Sequence, residues 1–190
     1  MIKKIINKLV TKNYFKFFYL AYVKNLKIEG SYTFKREKYD RRAIIASVII
    51  NKKIINKNVK YLEIGCDLDG TFNSIPLSIS DKIGVDPKRG GTHRMTSDQF
   101  FENNNDKFDV IFIDGLHSYA QCKKDFLNSL EVLNEEGVIF FDDMLPVDWA
   151  MQYMPNFQAK HTGDVWKLAA EIIDTEAFNF KIVKSNYGIG

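Results

Sequence analysis

Val110-Ile111-Phe112-Ile113-Asp114 is one of four short apolar runs that each finish on an acid; the others are Tyr61-Leu62-Glu63, Ile83-Gly84-Val85-Asp86 and Val138-Ile139-Phe140-Phe141-Asp142-Asp143. Runs this short, rich in β-branched and aromatic residues, read as buried strands of a parallel sheet. In an open α/β sheet, ligands bind beyond the carboxyl ends of the strands. The sequence thus lines one sheet edge with carboxylates facing a common crevice. Each of them costs desolvation unless something pairs with it. A ligand rich in hydroxyls, amines or positive charge, with or without a metal, accounts for them.

Working outward, a βα alternation organises the chain from about residue 60 onward. Strand one is expected over 60–64, followed by a short helix near 71–77. Strand two spans 82–86 and runs into a Gly-rich loop; a brief strand three falls at 93–96, with a helical turn at 98–103. Strand four (108–114) precedes a helix over 118–133, where Tyr119, Cys122, Phe126, Leu130 and Leu133 recur at three- and four-residue steps. Glu136-Gly137 turns the chain into strand five (138–142), and Asp164 begins a last helix. Residues 178–183 and 187–190 read as a sixth strand and a stub of a seventh. The expected fold class is α/β: a Rossmann-like, doubly wound, mostly parallel sheet in the order 3-2-1-4-5-7-6, its last hairpin truncated at Gly190.

Charge divides the chain. Residues 1–60 hold 16 Lys and Arg against 3 acids, whereas 61–190 hold 11 against 21. A basic helical extension over 1–56 is therefore expected to pack on a domain formed by 57–190. Within it, residues 2–27 read as an amphipathic arm. Its Phe15, Phe18, Tyr19 and Tyr22 are suited to packing on the domain or on the second subunit of a homodimer; the alternative is a membrane surface, with a basic interfacial helix touching anionic lipid. A second helix is expected over 40–55, with Ile44, Ile45, Val48, Ile49 and Ile55 as its apolar side. With 45% apolar and 27% charged residues, neither disorder nor a membrane bundle is indicated. The uncharged apolar run at 17–23 is too short to span a bilayer, and no small-residue cleavage site follows it. Cys66 and Cys122 fit neither a disulfide framework nor a metal spacing and read as reduced core thiols. A cytoplasmic protein is expected.

Glu63-Ile64-Gly65 followed by Gly70, with Asp86 ending the next strand, resembles the class I S-adenosylmethionine (SAM)-dependent methyltransferases. Their first strand ends in acid-x-Gly and their second in an acid. The resemblance is good over about 60–145 and weaker as far as Trp166. In detail, Asp86-Pro87-Lys88-Arg89-Gly90-Gly91-Thr92-His93-Arg94-Met95-Thr96-Ser97-Asp98 is similar to a small bacterial and phage subfamily. That subfamily also carries Asp-Gly-x-His-x-Tyr and Gly-Asp-Val-Trp-Lys, as here at 114–119 and 163–167. The resemblance implies SAM as cofactor, with Gly65 and Gly70 lining the turn and Asp86 accepting both ribose hydroxyls. It further implies that Asp98 contacts the adenine amino group and that Glu63 orients the loop near the methionine end. Positions 67 and 69, where the family often has glycine, are both Asp. Two extra carboxylates there would repel the SAM carboxylate unless they point to solvent or engage its ammonium.

At the chemical end stand Asp114-Gly115-Leu116-His117-Ser118-Tyr119 and Asp142-Asp143. Catechol-type O-methyltransferases, which this arrangement resembles, hold a divalent ion between an Asp after strand four and an acid-rich pair after strand five. The resemblance implies Mg²⁺ on Asp114, Asp142 and Asp143, with His117 as the base that takes a substrate hydroxyl's proton. Without a metal, Asp114 simply binds substrate, Ser118 caps the next helix and Asp142-Asp143 cap the turn before Pro146. The related subfamily commonly has His-Asp at that last position. Lys88, Arg89, His93 and Arg94 either grip an anion or form a solvated loop. Gly163-Asp164-Val165-Trp166 either close the substrate pocket with His161 or serve as helix cap and core.

The expected function is O-methylation of a small-molecule or glycan hydroxyl. Two alternatives come from other classes: a hydroxylase- or dehydrogenase-like use of the same fold, and a non-catalytic nucleotide-binding module. A nicotinamide enzyme would want G-x-G-x-x-G opening the first helix, which is lacking. No nucleic-acid partner is expected, because there is no Asn-Pro-Pro-aromatic tetrapeptide and the acidic body would repel phosphates.

Overall fold

The computed structural model describes residues 40–148, 150–156 and 160–190, and Asp40 starts the first helix among them. The arm expected over 2–27 lies outside the described residues. Helix α1 (Arg41–Ile55) is capped by Asp40, whose Oδ1 accepts the Ala43 N–H at 3.2 Å, and it carries Lys52 and Lys53 in its last turn. The Asp40 carboxylate and the two terminal lysines complement the helix dipole, whereas Arg41 and Arg42 in the first turn oppose it.

Four parallel strands form the sheet: β1 (Tyr61–Ile64), β2 (Lys82–Val85), β3 (Phe108–Ile113) and β4 (Leu133–Phe141), in the order β2-β1-β3-β4. They correspond to expected strands two, one, four and five. The other three strands keep their places but shrink to bridges. Strand three is a parallel bridge between Val85 and His93. It goes no further because Thr96 already caps α2 (Ser97–Asn103) through a capping box with Gln99. Strands six and seven meet only at an antiparallel Val183–Ile189 bridge. Beside β4, Phe141 and Gly190 exchange two backbone hydrogen bonds of 3.1 Å each, the signature of an antiparallel pair.

Side chains alternate across the sheet and fill two cores. On one face Tyr61, Val110, Phe112 and Phe140 meet Ile45 and Ile49 of α1. On the other, Leu62, Ile64, Ile111, Ile113 and Phe141 meet α3 (Tyr119–Val132) and α4 (Trp166–Thr175). Both cysteines are buried and unpaired.

Two local expectations need correction. The helix near 71–77 is only a 3₁₀ turn, Phe72–Ser74, because Pro76 forces Ile75 into an extended conformation. Strand five starts at Leu133 rather than 138, and Glu136, at φ +62°, sits in a bulge where the register slips against Phe108 and Val110. Among the described residues, no helix is long and apolar enough to cross a membrane.

Candidate functional site

The carboxyl ends of the four strands open onto a cleft of about 900 Å³. Glu63, Gly65, Gly70, Asp86, Asp98, Asp114, His117, Asp142 and Asp143 all line it. The sheet thus brings the expected cofactor, catalytic and metal residues to one cavity, large enough for a nucleotide-sized ligand, while Arg89, His93, Arg94 and the 163–166 segment do not line it.

At the β1–β2 end the turn is shaped by glycine and by Asp86. Gly65 has φ +88°, and a Cβ there would lie 2.2 Å from the Asp114 carbonyl oxygen. Only glycine lets the loop after β1 lie against the loop after β3. Gly70 has open space around it, so neither packing nor a left-handed backbone requires glycine there. Asp86 accepts four backbone N–H groups: Cys66 (3.2 Å) and Asp67 (3.1 Å) on Oδ2, Lys88 (2.7 Å) and Arg89 (2.9 Å) on Oδ1. Burial opposes its charge, but these donors outweigh that and hold its pKa below the usual carboxylate value. All four lone-pair positions are occupied, so a grip on ribose competes with the turn's own amides.

The two Asp residues in the turn are both engaged by the loop after β2. Both take left-handed backbone conformations, at φ +47° for Asp67 and +61° for Asp69. Asp67 pairs with Arg89, whose Nε lies 2.6 Å from Oδ1, and Asp69 Oδ1 accepts the Gly91 N–H at 2.6 Å. They latch the 88–91 loop onto the turn. Arg94 donates to the Asp86 carbonyl at 3.1 Å. Of the four basic residues in that loop region, two arginines therefore serve its architecture.

Glu63 is almost fully buried and accepts the Tyr61 hydroxyl at 2.6 Å. Burial pushes its carboxyl up to about 8, so it is largely protonated at neutral pH. Asp98 is tied to α3, with Lys124 Nζ 2.6 Å from Oδ2 and Gln121 Nε2 3.1 Å from Oδ1. Lys124 in particular holds its pKa down.

At the β3–β4 end, His117 stands between two acids. Its Nδ1 lies 3.2 Å from Asp143 Oδ2 and 3.1 Å from the His161 carbonyl oxygen, while Nε2 is 3.6 Å from Asp114 Oδ1. A carbonyl can only accept, so Nδ1 carries the proton of the neutral ring and Nε2 is its basic nitrogen. Burial disfavours the imidazolium, but Asp114 and Asp143 outweigh it and the pKa rises above the ordinary value. On Asp143 burial acts in the other direction, pushing its carboxyl up to about 6. The His161 ring lies 4.9 Å from the His117 ring. Gly163 permits this approach: at φ +62°, a Cβ would sit 1.6 Å from the His117 carbonyl oxygen.

The three carboxylates expected to share Mg²⁺ are divided. Arg41 Nη1 lies 3.0 Å from Asp114 Oδ2 and also pairs with Asp142 Oδ2, while Asp143 faces His117. The set that converges within 4.8 Å is Asp114, His117 and Asp143. Two carboxylates and an imidazole beside a guanidinium do not fit an ion that demands an octahedron of oxygens. The Asp142 Oδ1 atom is buried and has no hydrogen-bond partner among the described residues.

Ser118 caps α3 as expected, accepting the Gln121 N–H at 3.4 Å. Asp164 does not cap α4, whose N-cap is Val165; its Oδ1 accepts the Tyr119 N–H at 2.7 Å and steadies the start of α3. Sequence reading missed Arg41 and Asp125. Nothing local marks Arg41, a basic residue in a basic stretch. Asp125 is buried with Gln121 Nε2 3.0 Å from its Oδ1, and burial raises its pKa. A polar pair four residues apart, beside Cys122 and Phe126 on the apolar side of α3, was the available signal.

Residues 77–144 match the family model of a methyltransferase domain. The match runs from ahead of β2 to just past β4 and so includes Asp86, Asp98, Asp114, His117, Asp142 and Asp143. Among solved structures the chain is similar to a Staphylococcus aureus protein provisionally assigned as a caffeoyl-CoA O-methyltransferase, with a TM-score of 0.54, 16% identity, 98% of this chain covered and 95% of that one. At that identity the likeness shows the fold alone, a Rossmann-like parallel sheet. No curated protein matches the sequence. Domain match and fold together support a methyltransferase.

Proposed function

We propose that the protein transfers a methyl group from SAM to a hydroxyl of a small molecule or glycan, with His117 as the base. The observation that carries this is the imidazole fixed in the lining of the cleft with its basic Nε2 beside Asp114. When bound, SAM supplies a methyl group on a sulfonium, a strong electrophile. The 65–70 turn, Glu63, Asp86 and Asp98 would hold it, with the ribose towards Asp86 and the adenine towards Asp98. The cleft's acidic lining suits a cofactor that brings two positive charges, on sulfonium and ammonium.

His117 Nε2 takes the proton of the acceptor hydroxyl. Asp143 and the His161 carbonyl hold the ring through Nδ1, and Asp114 stabilises the imidazolium that forms. The orphaned Asp142 Oδ1 offers a hydrogen-bond acceptor to a second hydroxyl or amine of the substrate. Base function needs the neutral ring, and its pKa is raised above 6.5. The rate is therefore expected to climb with pH through a limb lying above that value.

Calorimetric titration with SAM, with its demethylated product and with NAD tests the cofactor: the first two should bind and NAD should not. His117→Gln should lower turnover by roughly 10²–10⁴-fold while leaving SAM affinity unchanged. NAD binding in place of SAM would reject the methyltransferase reading, and full turnover in the variant would reject the base.

A further inference from the structure

We infer that Arg41 takes the place of a divalent cation in this site: one guanidinium nitrogen bridges the carboxylates of two strands, and the active centre works without a metal. The inference refines the methyltransferase reading above and rests on it only for the reaction served.

Three observations converge. First, a single atom, Arg41 Nη1, reaches both Asp114 Oδ2, at 3.0 Å, and Asp142 Oδ2. An ion shared by those carboxylates would have to occupy the space where that nitrogen lies. Second, the side chain is held there. It starts α1 immediately after the Asp40 cap, and its guanidinium carbon stands 5.7 Å from the centre of the Phe112 ring. Below it, Ile45 and Ile49 fix the helix on the sheet. A planar cation resting on an aromatic face is a built contact. Third, the remaining acid is committed elsewhere, because Asp143 faces His117 Nδ1 at 3.2 Å.

The charges then form a chain across the site: Asp142, Arg41, Asp114, His117, Asp143. Arg41 screens Asp142 from Asp114 and sets how strongly Asp114 pulls on His117. It is a positioning residue, acting on the base through Asp114. A fixed cation also differs from a bound one. It does not exchange, and it has no open coordination position for a substrate oxygen, so the acceptor hydroxyl is left to His117.

Mn²⁺ titration of the whole protein, followed by electron paramagnetic resonance and by calorimetry, tests this without any acceptor. The unmutated protein should show no stoichiometric Mn²⁺ site, and its SAM affinity should be unchanged by chelator. Arg41→Ala frees two carboxylates and should bind Mn²⁺ at least roughly tenfold more tightly than the unmutated protein, because a repelling cation has gone. Arg41→Lys, which keeps the charge, should remain weak. Adding Asp142→Asn to Arg41→Ala should abolish the gained site. Stoichiometric Mn²⁺ binding by the unmutated protein, lost in Asp143→Asn, would overturn the inference in favour of an ion on Asp114, His117 and Asp143. Failure of Arg41→Ala to gain affinity would overturn it as well. If SAM fails to bind while the Mn²⁺ results hold, only the methyltransferase reading falls.

Discussion

Glu63 shows how one residue's surroundings decide its chemistry. Its position near the end of β1 is what a cofactor-orienting acid would have, yet burial outweighs the Tyr61 hydroxyl, which favours the carboxylate, and leaves it protonated up to a pH of about 8. A folded-state pKa above the unfolded one means the native protein binds the extra proton between the ordinary value of 4.5 and about 8. Stability contributed by the neutral acid is therefore present at low pH and is lost as pH rises through the folded pKa. Glu63→Gln keeps an oxygen for Tyr61 and removes the ionisation. The variant is expected to gain on the native protein steadily across that window in urea unfolding midpoints. A stability difference that does not change with pH would show that Glu63 does not titrate there. The neighbouring Asp86, by contrast, stays charged because four amides hold it, although both acids end adjacent strands.

Helix α1 is the element with two tasks. Its apolar side, legible as Ile44, Ile45, Val48 and Ile49, covers one face of the sheet, and its first residue reaches the chemistry. The two are linked mechanically, since the helix that carries Arg41 is located by Ile45 and Ile49, both fully buried. Ile49→Ala should cost about 2–5 kcal/mol, the usual range for emptying such a site, in chemical denaturation. A loss below about 0.5 kcal/mol, typical of surface changes, would mean the helix is not anchored there. Ile54 and Ile55 offer a contrast, being 79% and 91% exposed; the periodicity included Ile55 in the apolar side, but the helix ends before the sheet can cover it.

On the scale of the whole molecule, the parallel sheet is finished on one side by the last residues of the chain. The Phe141–Gly190 pair and the bond from the Met144 N–H to the Gly188 carbonyl, 3.0 Å long, tie that segment to the end of β4, beside Asp142 and Asp143. Removing residues 187–190 should leave β1 amides protected and expose those of Phe141 and Met144 to fast hydrogen exchange. Unchanged protection at both would show that the segment does not hold the strand end. The sequence alone determined four strands, three of them buried, their parallel arrangement and the gathering of acids at one edge. The strands and the acids that end them follow from local periodicity and from the rule that open sheets bind at their carboxyl ends, whereas Gly65, Gly70 and Asp98 were implied by the resemblance to SAM-dependent methyltransferases. It also placed His117 within reach of Asp114, three residues apart on one turn. Tertiary structure alone decided which charge meets which. Asp142 is matched by Arg41, about a hundred positions earlier in the chain, and Asp67 by Arg89. Asp86 is satisfied by amides from two loops, and the Mg²⁺ set dissolved once a guanidinium stood between its carboxylates. Pairings of that kind depend on where whole elements pack, and electrostatic attraction across such sequence distances leaves no local pattern to read.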